Sequence, residues 1–328
     1  MFYFDALKGR ALLFYLSIAL CASSKATILE SYPSKPITFV VTSSPGGGTD
    51  TMARMIAEAI AQKIKQPILV ENIPGAGGAI GASLVARSKP DGYKVLFTTG
   101  GFIIAPLLLP NSGYDPLTQF IGIRQVATVP LVLVVKGDSQ IQSMSDLVAQ
   151  SKLNQNFSYA SFGIGTPSHI AGEAIRQKFN VQITHVPYAG SSKALPDIQS
   201  GNVNFGILDA SFAVPMIQQG VLKAIAVTGE RRLTSLSNVP TLAESGVPFD
   251  LVGWYGVFVP SSTPPKIIKR LKLEFDDALY RAHVKDRIIS SGLGYVDSAL
   301  SSEGWNKKYR EEMRQWENFI KKFNITND

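Results

Sequence analysis

The chain has 328 residues, of which 45% are hydrophobic and 17% charged, with a formal net charge of +7. That length supplies two domains of ordinary size, each able to bury a core, and that composition excludes a chain dominated by disorder. The basic residues are spread along the sequence, so the charge suits an anionic ligand mildly and gives no argument for nucleic acid.

At the N-terminus, Lys8 and Arg10 precede the apolar run ALLFYLSIALCA. The run has the length of a signal-peptide core and is too short for a confident membrane span. Ser24-Lys25-Ala26 then offers a small-x-small cleavage site, so residues 1–26 read as a signal peptide, Thr27 as the mature start and the periplasm as the destination. Lipid anchoring at Cys21 is the weaker reading, because Leu20 stands where a lipoprotein signal has a small residue. Cys21 is the single cysteine. Its removal would leave neither disulfides nor thiol chemistry, and 29 basic against 24 acidic residues.

The first mature segments alternate by type. PITFVV (36–41), PILVEN (67–72) and KVLFTT (94–99) are short, β-branched and bounded by Pro or Gly, as buried parallel strands are. Between them, Met52, Ile56, Ala59, Ile60 and Ile64 recur at helical spacing, and AIGASLVARS (79–88) gives a second helix. The run QVATVPLVLVVKG (125–137) is long enough to cross between two domains as one strand. A second alternation follows from 145 to 228, with strands FSYAS, ITHVPY, VNFGILD and LKAIAVT separated by helices, so a second α/β unit with its own core is expected. FDLVGWYGVFVPSS (249–262) could carry the chain back, and helices from Pro265 to about Lys322 would pack on the first unit. Two crossings imply two lobes, a hinge and a cleft as the default ligand site.

Three glycine-rich turns follow strands and precede helices: SSPGGGTD (43–50), NIPGAGGAIG (72–81) and SFGIGTPSH (161–169). Such turns aim backbone N–H groups, backed by a helix dipole, at an anion, although any single strand-to-helix turn needs glycine for geometry alone. A phosphate loop would need a lysine after its last glycine, and Thr49-Asp50 follows Gly48. A dinucleotide fingerprint would need a sixth-place glycine where Ile80 stands. Catalytic patterns are equally thin. His169 and Glu173 share a helix face, more simply as a hydrogen-bonded helix start than as metal ligands. A Ser168-His169-Asp209 triad would need adjacent side chains that diverge on a helix, and no nucleophile elbow is present.

Better candidates are polar groups at strand ends and helix starts: Ser43, Ser44, Thr49, Asn72, Thr98, Ser161 and Thr166, each of which could instead cap its own helix. Tyr188 and Trp254 could wall the pocket or simply pack in the core.

The segments YPSKPITFVV…PGGGTDTMAR, NIPGAGGAIGASLVARSKPDGYKVLF, YASFGIGTPSHIAGE, VPYAGSSKALPDIQSGNVNFGILD and SNVPTLAESGVPFDLVGWYGVFVP, in this order, resemble the Bug-type extracytoplasmic receptors of tripartite tricarboxylate transporters. The resemblance covers nearly the whole mature chain. It implies a two-lobed periplasmic-binding-protein fold of type II, with two α/β domains joined by a two-crossing hinge: residues 27–126 with 250–328 form domain I, and 127–249 form domain II. It implies a small carboxylate in the cleft, delivery to large and small membrane permease subunits, a monomer, and neither cofactor nor metal nor catalysis. The binding set expected by position is Ser43, Ser44, Gly47, Gly48 and Thr49; Asn72, Ala76, Gly77 and Gly78; Thr98; Ser161, Gly163, Gly165, Thr166 and His169; Tyr188; and Asp209. Thr42 and Ser43 depart from the Pro and aromatic residue that the family places before the first turn. Rival expectations are a sensory binding protein for a signalling receptor and a hydrolase or transferase using Asp209 and His169.

Overall fold

A computed structural model describes residues 32–296 and 300–326; the expected signal peptide and Cys21 lie outside them. None of the described helices is long and apolar enough to cross a membrane.

The β-branched runs form strands where expected. β1 (Ile37–Val41), β2 (Ile68–Asn72) and β3 (Lys94–Thr99) pair in parallel. They are joined by α1 (Gly48–Ile64) and α2 (Ala79–Ala86). α1 buries Met52, Ala53, Ile56, Ala57, Ala59 and Ile60, which include all of the expected stripe except the half-buried Ile64, and stops where Lys65 takes a left-handed φ of 55°.

A third helix, α3 (Gly101–Leu108), was not anticipated, because Pro106 interrupts its apolar run. Proline removes the N–H that would bond the carbonyl of residue 102. The Tyr114 hydroxyl donates to the Phe102 carbonyl instead, at 2.7 Å, so the buried acceptor is satisfied from outside the helix.

The long run expected to cross as one strand is two strands, β4 (Phe120–Val129) and β5 (Leu131–Lys136), in different sheets. Pro130 between them has no N–H to continue a ladder, and its carbonyl accepts from Ala210 N at 2.9 Å. From β5 the chain builds α4 (Met144–Leu153), β6 (Ser158–Ser161), α5 (Pro167–Lys178), β7 (Thr184–Pro187), α6 (Ser191–Ser200), β8 (Phe205–Asp209), α7 (Ala210–Gln218) and β9 (Leu222–Val227). It returns through β10 (Gly253–Pro260) and ends in α8 (Pro265–Tyr280), α9 (Ala282–Ser290), β11 (Gly294–Tyr295) and α10 (Ser302–Lys322).

The sheets are ordered β11-β4-β10-β3-β1-β2 and β7-β6-β8-β5-β9. Each is mixed rather than wholly parallel, and they share a plan: three parallel strands, one antiparallel strand, then a fourth running with the first three. The antiparallel member is the strand that has just crossed, β5 in the second sheet and β10 in the first. This is the two-lobed, type II arrangement expected.

One apolar cluster lies wholly in the first lobe, where Phe39 stacks on Phe97 and Phe275, and another wholly in the second, around Val132, Ile198 and Leu208. A third runs from Phe102 and Phe258 through Leu131 to Tyr159 and Phe205, so the lobes share a core as well as owning one each. α10 reinforces this join: Trp305 and Tyr309 pack on Phe258, Trp316 packs on Phe249, and Gln177 of α5 donates to the Phe323 carbonyl just beyond the helix.

Candidate functional site

Parallel strands put their carboxyl ends, and the amino ends of the following helices, on one edge of a sheet. In this molecule the two edges face each other across a cavity of about 290 Å³. Six helix starts border it: Gly48 and Thr49 of α1, Gly78 before α2 and Gly100 before α3 from one lobe, with Thr166–Pro167 at α5, Gly190–Ser191 at α6 and Asp209 before α7 from the other.

The helix starts differ in how their free N–H groups are served. Thr166 accepts from His169 N, and Asp209 from Phe212 N, so α5 and α7 are capped by their own side chains. Gly47, Gly78, Gly100 and Gly190 carry no side chain and leave α1, α2, α3 and α6 without such a cap, although the Gly101 N–H of α3 donates to Thr99 Oγ1 at 3.2 Å. A helix start leaves up to four N–H groups without an intrahelical partner, and its dipole favours negative charge. The cavity therefore gathers neutral anion-binding groups, and none of its lining residues is Lys, Arg or His.

The first glycine turn is pinned from behind. Asn72 Nδ2 donates to the Ser43 carbonyl at 3.0 Å and to Asp50 Oδ1 at 2.9 Å, and Arg54 pairs with Asp50 at 3.0 Å. Asp50 also accepts from Gly46 N at 2.9 Å, which turns it back along its own helix and away from the cavity. Burial would raise the Asp50 carboxyl; Arg54, Gly46 N and Asn72 outweigh it and hold the group below the usual carboxylate range.

Asp209 is the one carboxylate on the cavity wall, and it is buried. Its Oδ1 accepts from Ser211 Oγ at 2.6 Å, Phe212 N at 3.0 Å and the Tyr255 hydroxyl at 3.1 Å; its Oδ2 accepts from Ser191 Oγ at 2.7 Å. Tyr255 comes from β10, and Asp209 Oδ1 lies against the Gly48 backbone of α1, so this cluster joins both lobes and a crossing strand. Burial, with Asp209 beside it, pushes the Tyr255 hydroxyl well above its ordinary pKa, so it stays a donor at any physiological pH.

The lobes touch directly around the cavity. Ser44 N and Oγ both donate to the Ala189 carbonyl, at 3.1 and 2.7 Å, and Ser192 Oγ donates to the Pro45 carbonyl at 3.1 Å. Elsewhere Gly77, at φ +63°, comes so near the Ile164 carbonyl that a Cβ would lie 2.4 Å from it. Only glycine fits that approach in that conformation.

Of the residues expected to bind, Ser43, Gly47, Gly48, Thr49, Ala76, Gly77 and Gly78 line the cavity from the first lobe, and Gly163, Thr166, Tyr188 and Asp209 from the second. Trp254 lines it as well. The Thr166 hydroxyl is occupied, donating to the Gly163 carbonyl, and the Tyr188 hydroxyl donates to Asp197 at 2.6 Å, so Tyr188 offers its ring.

The other expected residues are not on the wall. Ser44 serves the lobe contact and Asn72 pins the turn. Thr98 bonds Thr42 at 2.8 Å. Ser161 Oγ lies 2.6 Å from His185 Nε2 and accepts from Gly163 N at 3.1 Å. Gly165 packs on Ala105 across the lobes. His169 is buried behind the turn and stacks on His185 at 4.3 Å.

The imagined triad does not form: Ser168 donates to the Ile207 carbonyl. Glu173, the partner considered for a metal, accepts from Tyr159 and pairs with Arg176 at 2.7 Å. Among the described residues no group of three His, Cys, Asp or Glu could hold a metal.

Thr99, Gly100, Ser191 and Tyr255 also border the cavity and were missed. A glycine pair after the strand KVLFTT was the available signal for the first two. Ser191 and Tyr255 carry no local signal, since their common partner Asp209 is distant in the chain.

A family model for the tripartite tricarboxylate transporter family receptor matches residues 52–325. A relative from Pseudomonas sp. (strain P51), known as the UPF0065 protein in the tcbD-tcbE intergenic region, is 33% identical over 320 residues, covering 96% of this chain and 95% of its own. The solved periplasmic binding protein BugD superposes with a TM-score of 0.86 at 32% identity, over 90% of this chain and 100% of its own. A protein of R. palustris solved with adipate gives a TM-score of 0.85 at 30% identity, over 90% and 99% of the two chains. MatC from Rhodopseudomonas palustris, with bound malate, gives 0.84 at 28%, over 88% and 100%. The chain belongs to the tripartite tricarboxylate transporter family of receptors.

Proposed function

We propose that this protein is a periplasmic solute receptor that binds a small organic carboxylate between its lobes and hands it to the large and small membrane subunits of a tripartite transporter. Residues 27–126 with 250–328 form one moving body and 127–249 the other, and the receptor acts as a monomer without catalysis. The observation that carries this reading is the convergence of six helix starts, four of them without a side-chain N-cap, on one interlobe cavity without a cationic side chain. Neutral donors can hold a carboxylate and still release it, since a net hydrogen bond to a charged group contributes only about 1.5–3 kcal/mol and no buried ion pair has to be broken. Ligand touching both lobes favours the closed state because the open state lacks half of those contacts. The relatives solved with adipate and malate support a carboxylate as the ligand class.

The test is thermal unfolding of the chain from Thr27, stripped of carried-over ligand in denaturant, against carboxylates, amino acids and nucleotides. A saturating carboxylate at a hundred times its Kd adds about 2.7 kcal/mol of stability. Stabilisation by a nucleotide and by no carboxylate overturns the reading.

A further inference from the structure

We infer that His169 is a positioning residue for lobe closure: by holding the Gly165 N–H, it aims the Ile164 carbonyl at the first lobe. This rests on the proposed closing of two lobes and names a residue that governs it. The Gly165 N–H donates to His169 Nδ1 at 3.5 Å. A donor there requires Nδ1 to be the bare nitrogen, which puts the imidazole proton on Nε2. Nε2 is buried without a hydrogen-bond partner, so the bond from Gly165 is what sets this tautomer. Burial lowers the pKa of His169 despite Glu173 nearby, which keeps the ring neutral and Nδ1 an acceptor.

The consequence lies on the other side of the same peptide. The bond from Ile164 to Gly165 is trans, and a trans peptide points its N–H and C=O in opposite directions. With the N–H turned in to His169, the carbonyl is turned out, and it meets Gly77 so closely that a Cβ there would lie 2.4 Å from it. Gly165 docks beside it: a Cβ on Gly165 would lie 2.9 Å from Ala105 Cα, also of the first lobe. The neighbouring N–H of Gly163 is served in the same manner, donating to Ser161 Oγ, which lies 2.6 Å from His185 Nε2. The stacked imidazoles thus back alternate N–H groups of one turn, one directly and one through Ser161. Without the Nδ1 acceptor, the Gly165 N–H would be a buried donor with no partner. Glycine at 165 lets the peptide turn to find another, and that turn takes the carbonyl away from Gly77.

The chain from Thr27 contains no cysteine. Dyes on Glu58→Cys and Gln199→Cys, at exposed sites on α1 and α6, therefore read the distance between lobes by single-molecule energy transfer in ligand-stripped protein. The expected result is that His169→Leu lowers the ratio of closed to open molecules at least fivefold. His169→Asn, whose amide oxygen takes the place of Nδ1, should restore the ratio to within about twofold of the unaltered protein. Gly77→Ala obstructs the same approach, so the double variant with His169→Leu should lose no more than the worse of the two single variants. Equal ratios in the unaltered protein and His169→Leu, no rescue by His169→Asn, or additive losses in the double variant overturn the inference. If His169→Leu does not fold, His169→Gln, whose amide sits at the Nε2 position, takes its place in each comparison. Failure of every carboxylate to stabilise the protein, with the dependence on His169 intact, overturns the receptor reading and leaves His169 its role.

Discussion

The Asp209 carboxylate of the second lobe lies against the backbone of Gly48 at the start of α1 in the first, leaving no room for a side chain there. The glycine turn that reads as an anion site is thus already faced by an anion of the protein's own, and the contact exists only while the lobes are together. Replacing Gly48 by Ala should hold the lobes apart. The expected outcome is a Kd raised at least tenfold, about 1.4 kcal/mol, with the unliganded melting temperature little changed. Calorimetry with solution scattering on the same sample checks both halves, and unchanged affinity would show that the lobes close without this contact.

Ser44 should act on closure alone. Ser44→Ala removes the Oγ donation to the Ala189 carbonyl and keeps the backbone one. Losing a bond of that kind costs about 0.5–1.5 kcal/mol, so ligand binding should weaken by roughly two- to tenfold. Stopped-flow dissociation should place the change in the off-rate; a change confined to the on-rate would contradict a closed-state role.

The stacked histidines set a pH dependence. Burial lowers the pKa of His169, and burial together with His169 alongside lowers that of His185 to about 3. The unfolded chain takes up these protons near pH 6.5, so below that pH it binds protons the folded state refuses, and stability falls as pH drops. Each histidine contributes at most about 1.4 kcal/mol per pH unit in that window. Urea midpoints at pH 7 and pH 5 should differ, and His185→Gln should flatten the difference. The depressed Asp50 carboxyl acts lower, its contribution being lost only as pH falls through the acidic carboxylate range. An equal slope in His185→Gln would exclude the imidazole as its source.

Tyr114→Phe should destabilise the fold by about 1–3 kcal/mol, because it strands the buried Phe102 carbonyl. Adding Pro106→Ala should return most of that loss, since the new N–H can bond the same carbonyl within α3. Urea unfolding of both single variants and the double variant checks the coupling, and additive losses would refute the exchange of donors.

Much of the architecture is legible in order and type of segment. β-branched runs bounded by Pro and Gly, alternating with stripes such as Met52, Ile56 and Ile60, mark the strands and helices because their periods differ. Three features escape this reading. Pro106 disguises α3, whose missing donor is supplied by a tyrosine outside the helix. Pro130 splits an apolar run whose two halves join different sheets, a tertiary fact that hydrophobicity does not encode. The antiparallel course of β5 and β10 follows from which lobe the chain has just left.

The site is legible by segment and less so by side chain. Thr98 and Thr99 are both strand-end hydroxyls; alternation turns one to Thr42 and the other to the cavity, and only the assembled sheet says which. His169 and Ser161 belong to a turn that borders the cavity, yet their side chains support it from behind.

Trp254 borders the cavity on one side, and on the other its indole nitrogen donates to Glu312 at 2.6 Å. A tryptophan on a strand that borders the ligand space, with its N–H held by a carboxylate, is an optical gauge of occupancy. The chain has only two other tryptophans, Trp305 and Trp316, both buried on α10. Intrinsic emission can therefore follow filling and emptying in real time without a dye, with Trp254→Phe as the blank that assigns the signal.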